Sequence, residues 1–215
     1  MVTTKCLHDS GERPISRPQI SFPKNTSSNL HKSHQKTVII YLPLPDFEAS
    51  AKALDLRRLG NQRRDVHRLL QALLEDRTDF IEPPLIAMWQ GYEGALANYG
   101  VALSREIDER GYQDPFYYAS FRLIHRYGIS FIRAEAPPWL GKGSLHASHR
   151  AALKREVTQA LAKAHFALKN RAKLRLGLAI WELEDRLHQA EREYEWYERF
   201  GWEEGVEIPL VWPKK

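Results

Sequence analysis

Hydrophobic positions recur at helical spacing along most of the chain after residue 37, and this pattern predicts an all-α protein. Helices are expected over residues 47–54, 56–75, 85–109 and 115–127, the last from an aromatic-rich segment. Asp46 is the expected N-cap of the first helix, and the second is either broken from the first near Asp55 or bent at Gly60. The third has apolar residues at steps of three or four, which mark one buried face: Met88, Tyr92, Leu96, Tyr99, Leu103 and Ile107. Gly111 is expected to end this helix in a left-handed conformation.

The segment from residue 147 to residue 194 contains no proline and keeps apolar residues at steps of three or four. It predicts either one long helix or a hairpin broken near Asn170 or Gly177. A single helix of ~40 residues would be ~60 Å long, too long for a compact domain of this size. We therefore favour a helical hairpin or a projecting arm.

Three segments lack this periodicity. Residues 1–37 are rich in Ser, Thr, Asn, Pro and Lys and predict a disordered basic tail. Residues 37–46 predict a short strand or an extended segment, which Pro43 and Pro45 would end. Residues 201–215 are irregular and are expected to pack on the core through aromatic and apolar side chains: Trp202, Ile208, Val211 and Trp212.

These elements predict a compact helical domain with a hairpin or arm inserted near the C-terminus. The expected division is a tail over residues 1–37, a helical core over 38–154, an inserted arm over 155–193, and a segment over 194–215 that packs back on the core. The inserted arm is also a candidate surface for forming a homodimer.

The composition and motifs of the chain limit the classes of protein to which it can belong. With 43% hydrophobic residues the chain can bury a core, yet no run of 18 apolar residues predicts a membrane span and no signal peptide is recognisable. Cys6 is the one cysteine in the sequence, so no internal disulfide forms, and we expect a cytoplasmic protein. Phosphate-binding loops, hydrolase nucleophile elbows and zinc-protease motifs are absent, so no metal and no other cofactor is expected.

The net charge of +5 is unevenly distributed. Residues 141–176 hold nine Lys and Arg against one acid, whereas residues 177–215 hold five against ten. Such polarity orients a molecule on a polyanion. The alternative is a set of solvated helix faces.

Two basic constellations are candidate nucleic-acid contacts, because guanidinium, ammonium and amide groups donate hydrogen bonds to phosphate, sugar and base edges. The first lies in the 56–75 helix and the second shares one face of a helix that begins near Ser144: Arg57, Arg58, Gln62 and Arg63, then His146, His149, Arg150 and Lys154. The alternative for the first set is ion pairing with Asp55 and Asp65 on a solvated face. Two histidines three residues apart lack a third metal ligand.

A third group is aromatic and lies in the middle of the chain, from Trp89 to Phe121. Most of these rings follow helical spacing and are expected in the core. One or two of them are candidates for stacking on an extruded base.

Several short segments resemble a known family. They are residues 41–47 (YLPLPDF), 54–55 (LD), 58–63 (RLGNQR), 88–92 (MWQGY), 110–112 (RGY), 137–141 (PPWLG), 148–150 (SHR), 195–197 (EWY) and 212–213 (WP). This set is similar to small bacterial proteins related to the phage pyrimidine-dimer DNA glycosylase/AP lyase. The resemblance covers most of residues 38–154 and resumes near residue 195, with residues 155–193 as an insertion.

The resemblance implies an all-helical domain that kinks damaged duplex DNA and flips a base, acting in base-excision-type repair. It also implies a nucleophile that is the α-amine of the residue after the initiator Met. The neutral amine attacks the sugar C1′, expels the base and leaves an imine, after which the sugar is acidified for strand cleavage. A nearby glutamate stabilises the cationic intermediate.

Two departures bear on catalysis. The matching core begins near Val38, so an amine at Val2 would hang on a long tail and could not be preorganised. The position of the family's glutamate falls around Arg57 and Arg58, which leaves Asp55 and Glu93 as the candidate catalytic carboxylates. Three hypotheses remain open: a glycosylase/lyase, a non-catalytic helical nucleic-acid-binding module, and a self-associating interaction protein.

Translation from an alternative start codon at Val38 would place an N-terminal α-amine at the start of the matching core. We predict that native protein then has the mass of a chain starting at this codon, which intact-mass spectrometry measures. A mass that matches Met1 to Lys215 removes this route.

Overall fold

The computed structural model describes residues 38–77, 81–170 and 180–202. Within these ranges the chain forms seven α-helices and no strand, which confirms the predicted all-α fold. The helices are α1 (Phe47–Ala53), α2 (Leu56–Glu75), α3 (Pro83–Trp89), α4 (Glu93–Glu109), α5 (Tyr117–Arg126), α6 (Gly143–Asn170) and α7 (Ile180–Glu198). The predicted N-terminal tail lies outside the described residues.

The core forms where α2 and α4 pack together, with α1 against α4 and α5 against α2. Both central helices contribute leucines at helical spacing, and these are fully buried: Leu59, Leu69 and Leu70 from α2, Leu96 and Leu103 from α4. Trp89 and Trp139 meet edge to face beneath them, with ring centroids 4.9 Å apart. Burying each such side chain stabilises the fold by roughly 1.5–3 kcal/mol.

The boundaries of α1 and α2 follow from capping. The Asp46 carboxylate accepts a hydrogen bond from Ala49 N at 2.7 Å, and Asp55 accepts one from Arg58 N at 3.0 Å. Each carboxylate thereby satisfies a backbone donor that the first helical turn leaves free. The expected N-cap at Asp46 is confirmed, and α2 runs through Gly60 without a break.

The helix expected over residues 85–109 is wrong as a single element. The chain breaks after Trp89, where Gln90 is extended and Gly91 has φ +86°, and it re-enters a helix at Glu93. A positive φ is compatible with glycine and ends the hydrogen-bonding pattern of α3. Gly111, at φ +82°, ends α4 as expected.

The segment after residue 143 is a hairpin, as favoured, because α6 and α7 pack against each other. Asn170 ends α6, and the connection over residues 171–179, which contains Gly177, lies outside the described residues. Tyr197 at the end of α7 is completely buried in the core and Trp202 packs against it. The expected contacts of Ile208, Val211 and Trp212 lie outside the described residues, and homodimerisation through residues 155–193 stays a prediction.

Residues 38–43, which we call the extended segment, form neither helix nor strand, and all of them except the partly exposed Ile39 are buried. Ile40 and Leu42 have no exposed surface, and Tyr41 is 8% exposed. The hydroxyl of Tyr99, from the centre of α4, donates to the backbone carbonyl of Tyr41 at 2.7 Å. A core helix therefore contributes directly to holding the extended segment.

We predict that Tyr99→Phe lowers the free energy of unfolding by about 1–3 kcal/mol, because it leaves a buried carbonyl without its donor. Urea unfolding followed by circular dichroism measures this difference. Tyr127→Phe removes a hydroxyl from a ring that is 42% exposed and serves as the control, with a change within about 0.5 kcal/mol. Equal losses in the two variants would contradict this role for Tyr99.

Candidate active site

Among the described residues no strand lies beside the extended segment, and side chains of α2 and α6 bind its backbone instead. On α2, Gln62 accepts from Tyr41 N at 2.8 Å through Oε1 and donates to Ile39 O at 3.2 Å through Nε2. The backbone N–H of Ile39 lies beside the carboxylate of Asp65, one helical turn after Gln62, and favours the ionised form of that carboxylate. These two α2 side chains therefore face the two polar backbone groups of Ile39.

The α6 side of the segment is held by the two histidines. His146 Nδ1 donates to Leu42 O at 2.8 Å, while its Nε2 accepts from Gly141 N at 3.0 Å. His149 Nδ1 accepts from Leu42 N at 2.7 Å. The two rings thus use opposite protonation of Nδ1 to bind both polar groups of one residue.

The candidate nucleic-acid contacts Gln62, His146 and His149 are therefore buried supports of the chain's own backbone, at most 2% exposed. Their burial rules out the alternative of a solvated face, and their contact with a nucleic acid stays a prediction. An extended segment leaves unpaired N–H and C=O groups, and burying them requires polar partners at fixed positions. Arg150 is partly exposed and donates to Pro43 O at 2.8 Å.

The candidate arginines Arg58 and Arg63 lie on different sides of α2 and have different partners. Arg58 is 5% exposed and forms ion pairs with Asp55 at 2.8 Å and Glu193 at 3.0 Å. Arg63 is 2% exposed, lies on another side of the helix and pairs with Asp114 at 2.7 Å. These two guanidinium groups are not brought onto one surface.

The remaining two candidates are bound by acidic residues of α7. Arg57 has a side chain that is 46% exposed and pairs with Glu193 at 2.6 Å. Lys154 is 4% exposed, forms an ion pair with Glu198 and lies 4.5 Å from the centre of the Tyr194 ring. Two acidic residues of α7, Glu193 and Glu198, thus pair with members of both basic constellations.

The candidate catalytic carboxylates, Asp55 and Glu93, do not contact the start of the extended segment. Asp55 is the buried cap of α2 and accepts from the Tyr197 hydroxyl at 2.9 Å. Glu93 lies in the first turn of α4 and accepts from Gly91 N at 2.8 Å. Both have local structural partners, and neither is the carboxylate that contacts the start of the extended segment.

Asp65 holds that position, whereas the sequence offers it only as an alternative ion-pair partner on a solvated face. It is 7% exposed, and burial raises the pKa of its carboxyl, although Arg64, the backbone of Ile39 and Arg68 oppose this shift. Arg64 is nearest, with Nε 3.5 Å from a carboxylate oxygen. Its three-residue spacing from Gln62, on the buried face of α2, was the available signal.

The described residues contain neither a metal-binding cluster nor a membrane-spanning helix. Across residues 38–77, 81–170 and 180–202, no group of three or more His, Cys, Asp or Glu is placed to hold a metal ion. No helix in these ranges is long and apolar enough to cross a membrane. The arrangement is a backbone nitrogen held on a buried carboxylate, with Arg64 and Arg68 beside it.

The histidine support generates a prediction about pH. Burial, and secondarily the neighbouring His146, lowers the pKa of His149 to about 3. The ordinary value is ~6.5, so below that pH the unfolded chain binds a proton that the folded chain excludes. Stability is fully present above pH ~6.5 and falls by up to about 1.4 kcal/mol per pH unit between ~6.5 and ~3.

His149→Asn removes this titration while keeping a side-chain acceptor for Leu42 N. We predict a flatter dependence of the free energy of unfolding on pH between 3 and 6.5, measured by urea unfolding. The control His125→Asn, at an exposed position of α5, keeps the slope of the unaltered protein. Superimposable profiles for all three proteins would contradict the assignment.

Comparison with known proteins places the site inside a recognised segment. Residues 38–115 match the family described as pyrimidine dimer DNA glycosylase. No curated protein and no solved structure matches the chain significantly. The matched range contains the extended segment, Gln62, Asp65 and Tyr99, and it ends before α5. The similarity to the pyrimidine dimer DNA glycosylase family is therefore confined to residues 38–115.

Proposed function

We propose that this protein is a DNA-repair enzyme of the glycosylase/AP lyase type that acts on damaged duplex DNA with the α-amine of Ile39. The observation that carries this proposal is the Ile39 nitrogen held on the Asp65 carboxylate, within the range that matches the family. Translation from codon 38 makes Ile39 the residue after the initiator, where the resemblance places the nucleophile. Asp65 takes the role of the family's glutamate in place of Asp55 or Glu93.

The chemistry of such a site follows from a neutral amine. Its lone pair forms a bond to the sugar C1′, and the bond from C1′ to the base breaks, so the base leaves with that electron pair and takes up a proton. The nitrogen then loses a proton, and its lone pair breaks the bond from C1′ to the ring oxygen O4′, which takes up a proton. The enzyme and the opened sugar are then joined by a cationic iminium. An α-amine with an ordinary pKa near ~8 has a neutral fraction at physiological pH, as this step requires.

Asp65 suits this reaction because of its environment. Desolvation disfavours its isolated negative charge, and a new cation at the adjacent nitrogen compensates that cost. A preorganised charge in a water-poor site stabilises a developing opposite charge more strongly than solvent does. Gln62 acts as a positioning residue because it holds the carbonyl of Ile39.

The surface beside Asp65 suits a phosphodiester backbone. The Arg64 side chain is 35% exposed, and Arg68 is exposed on the same face of α2. Arg57 lies further along this helix, and Arg150 is partly exposed on α6. We propose these four arginines as DNA contacts, whereas Arg58, Arg63 and Lys154 support the fold through their ion pairs.

The alternative is a nucleic-acid-binding module without chemistry. In the 215-residue chain the Ile39 nitrogen belongs to a peptide bond, and an amide nitrogen does not attack C1′. This alternative predicts DNA binding that weakens steeply with salt but forms no covalent intermediate.

We predict that a chain beginning at Ile39, released from a removable fusion, forms a borohydride-trapped adduct with abasic and ultraviolet-damaged duplexes. The reductant converts the imine to a stable amine, and mass spectrometry of peptides locates the adduct on Ile39. The full chain from Met1 is expected to bind these duplexes without being trapped. Asp65→Asn in the Ile39 chain is expected to slow trapping by about 100-fold or more.

The matched control is Asp185→Asn, at an exposed carboxylate of α7, which leaves the trapping rate unchanged. An adduct on a lysine, or equal trapping of the chains from Met1 and Ile39, would overturn the assignment of the nucleophile. DNA binding without any adduct would favour the non-catalytic module.

A further inference from the structure

Helix α5 carries two parallel stripes of exposed side chains that the proposed active site does not use. The first contains Tyr117, Phe121 and His125, and the second contains Tyr118, Arg122 and Arg126, each at steps of four residues. We call these the aromatic stripe and the cationic stripe. The opposite side of the helix buries Ser120, Leu123 and Ile124 against the core, which fixes the orientation of both stripes.

The aromatic side chains on this surface are largely exposed to solvent. Tyr117 is 47% exposed, Tyr118 76% and Phe121 51%. The Phe121 and His125 rings are nearly parallel with centroids 6.4 Å apart, and the Tyr117 and Tyr118 rings meet edge to face at 5.4 Å. Large rings left in water at one place on a monomer mark an interaction surface.

The charge of the helix identifies the class of partner. Its sequence, YYASFRLIHR, contains two arginines and a histidine and no carboxylate. Arg126 of this helix lies 3.6 Å from the carboxylate of Glu75, and the Arg126 side chain is 71% exposed. Cations beside aromatic faces suit a polyanion whose monomers carry rings, which is the chemistry of a nucleic acid.

An open cleft of about 590 Å³ lies beside the stripes, between α4 and α5. Its lining includes Tyr117, Tyr118, Arg105 and Gln113 together with two acidic residues, Asp108 and Asp114. The side chains of Arg105 and Gln113 provide hydrogen-bond donors for ring carbonyls. Bases paired in a duplex keep their faces stacked on neighbouring pairs, so stacking on α5 requires an unpaired strand.

We propose that the outer surface of α5 binds single-stranded nucleic acid, with bases stacked on the aromatic stripe and phosphates on the cationic stripe. Successive positions of each stripe are ~6 Å apart along the helix, so one α5 binds a short run of nucleotides. This surface lies after residue 115 and is independent of the amine chemistry at Ile39.

The experiment measures fluorescence anisotropy of an undamaged labelled oligothymidylate with the full chain from Met1 to Lys215. The double variant Tyr117→Ala with Phe121→Ala is expected to weaken binding about tenfold or more, since each stacked base contributes strongly to affinity. Arg122→Gln with Arg126→Gln is expected to reduce the slope of log affinity against log salt by roughly 1 to 1.5. The control Tyr127→Ala with Ile132→Ala removes exposed apolar groups outside the stripes and leaves affinity unchanged.

The removed side chains are largely exposed, so circular dichroism is expected to show folded variants. Equal affinity of the aromatic variant and the control pair would overturn the proposal. So would sedimentation showing that Tyr118→Ala dissociates a dimer, since a second copy would then cover the surface. An undamaged strand offers no abasic sugar, so failure here leaves the glycosylase proposal standing, and failed trapping leaves this proposal standing.

Discussion

The structure depends on one constraint, namely that a buried extended peptide without a partner strand must find hydrogen bonds from side chains. Each unsatisfied buried N–H or C=O costs about 1–3 kcal/mol. Residues 39–44 receive partners from four helices: Ser50 of α1, Gln62 and Asp65 of α2, Tyr99 of α4, and His146, His149 and Arg150 of α6. This requirement sets the packing of α1, α2, α4 and α6 around the segment, and it places Ile39 against Asp65.

The same geometry reassigns most of the polar motifs. Residues of the RLGNQR and HASHR segments look like nucleic-acid contacts in the sequence because they are basic, amide-bearing and at helical spacing. Their side chains bind the chain itself, through Gln62 and His149 to the backbone and through Arg58 to Asp55 and Glu193. The acidic α7 packs on the basic α6, so the charge asymmetry of the sequence is largely an internal complementarity. Exposed cations that the hairpin does not pair include Arg68 on α2 and Arg122 on α5.

Periodicity and capping predicted the helices well, because these signals are local. The faces of α2 and α4, the cap at Asp46 and the left-handed Gly111 all followed from residues within one or two turns. The break at Gly91 was missed because apolar residues on both sides continue the same spacing. Pairing of Arg58 with the nearby Asp55 was one alternative in the sequence, but its second partner, Glu193, was beyond reach, since it is 135 residues away and joins Arg58 only after the hairpin forms. Asp65 was recognisable as a helix residue, but its contact with Ile39 depends on tertiary packing.

Native-state hydrogen exchange of individual amides, measured by NMR, tests most directly whether side chains hold the extended segment. The amides of Tyr41 and Leu42, bonded to Gln62 and His149, are predicted to exchange as slowly as amides in the middle of α2 and α4. Gln62→Ala is predicted to accelerate exchange at Tyr41 selectively. Rapid exchange of both amides, at rates typical of a frayed terminus, would contradict the account, because Asp65 would then face no fixed nitrogen.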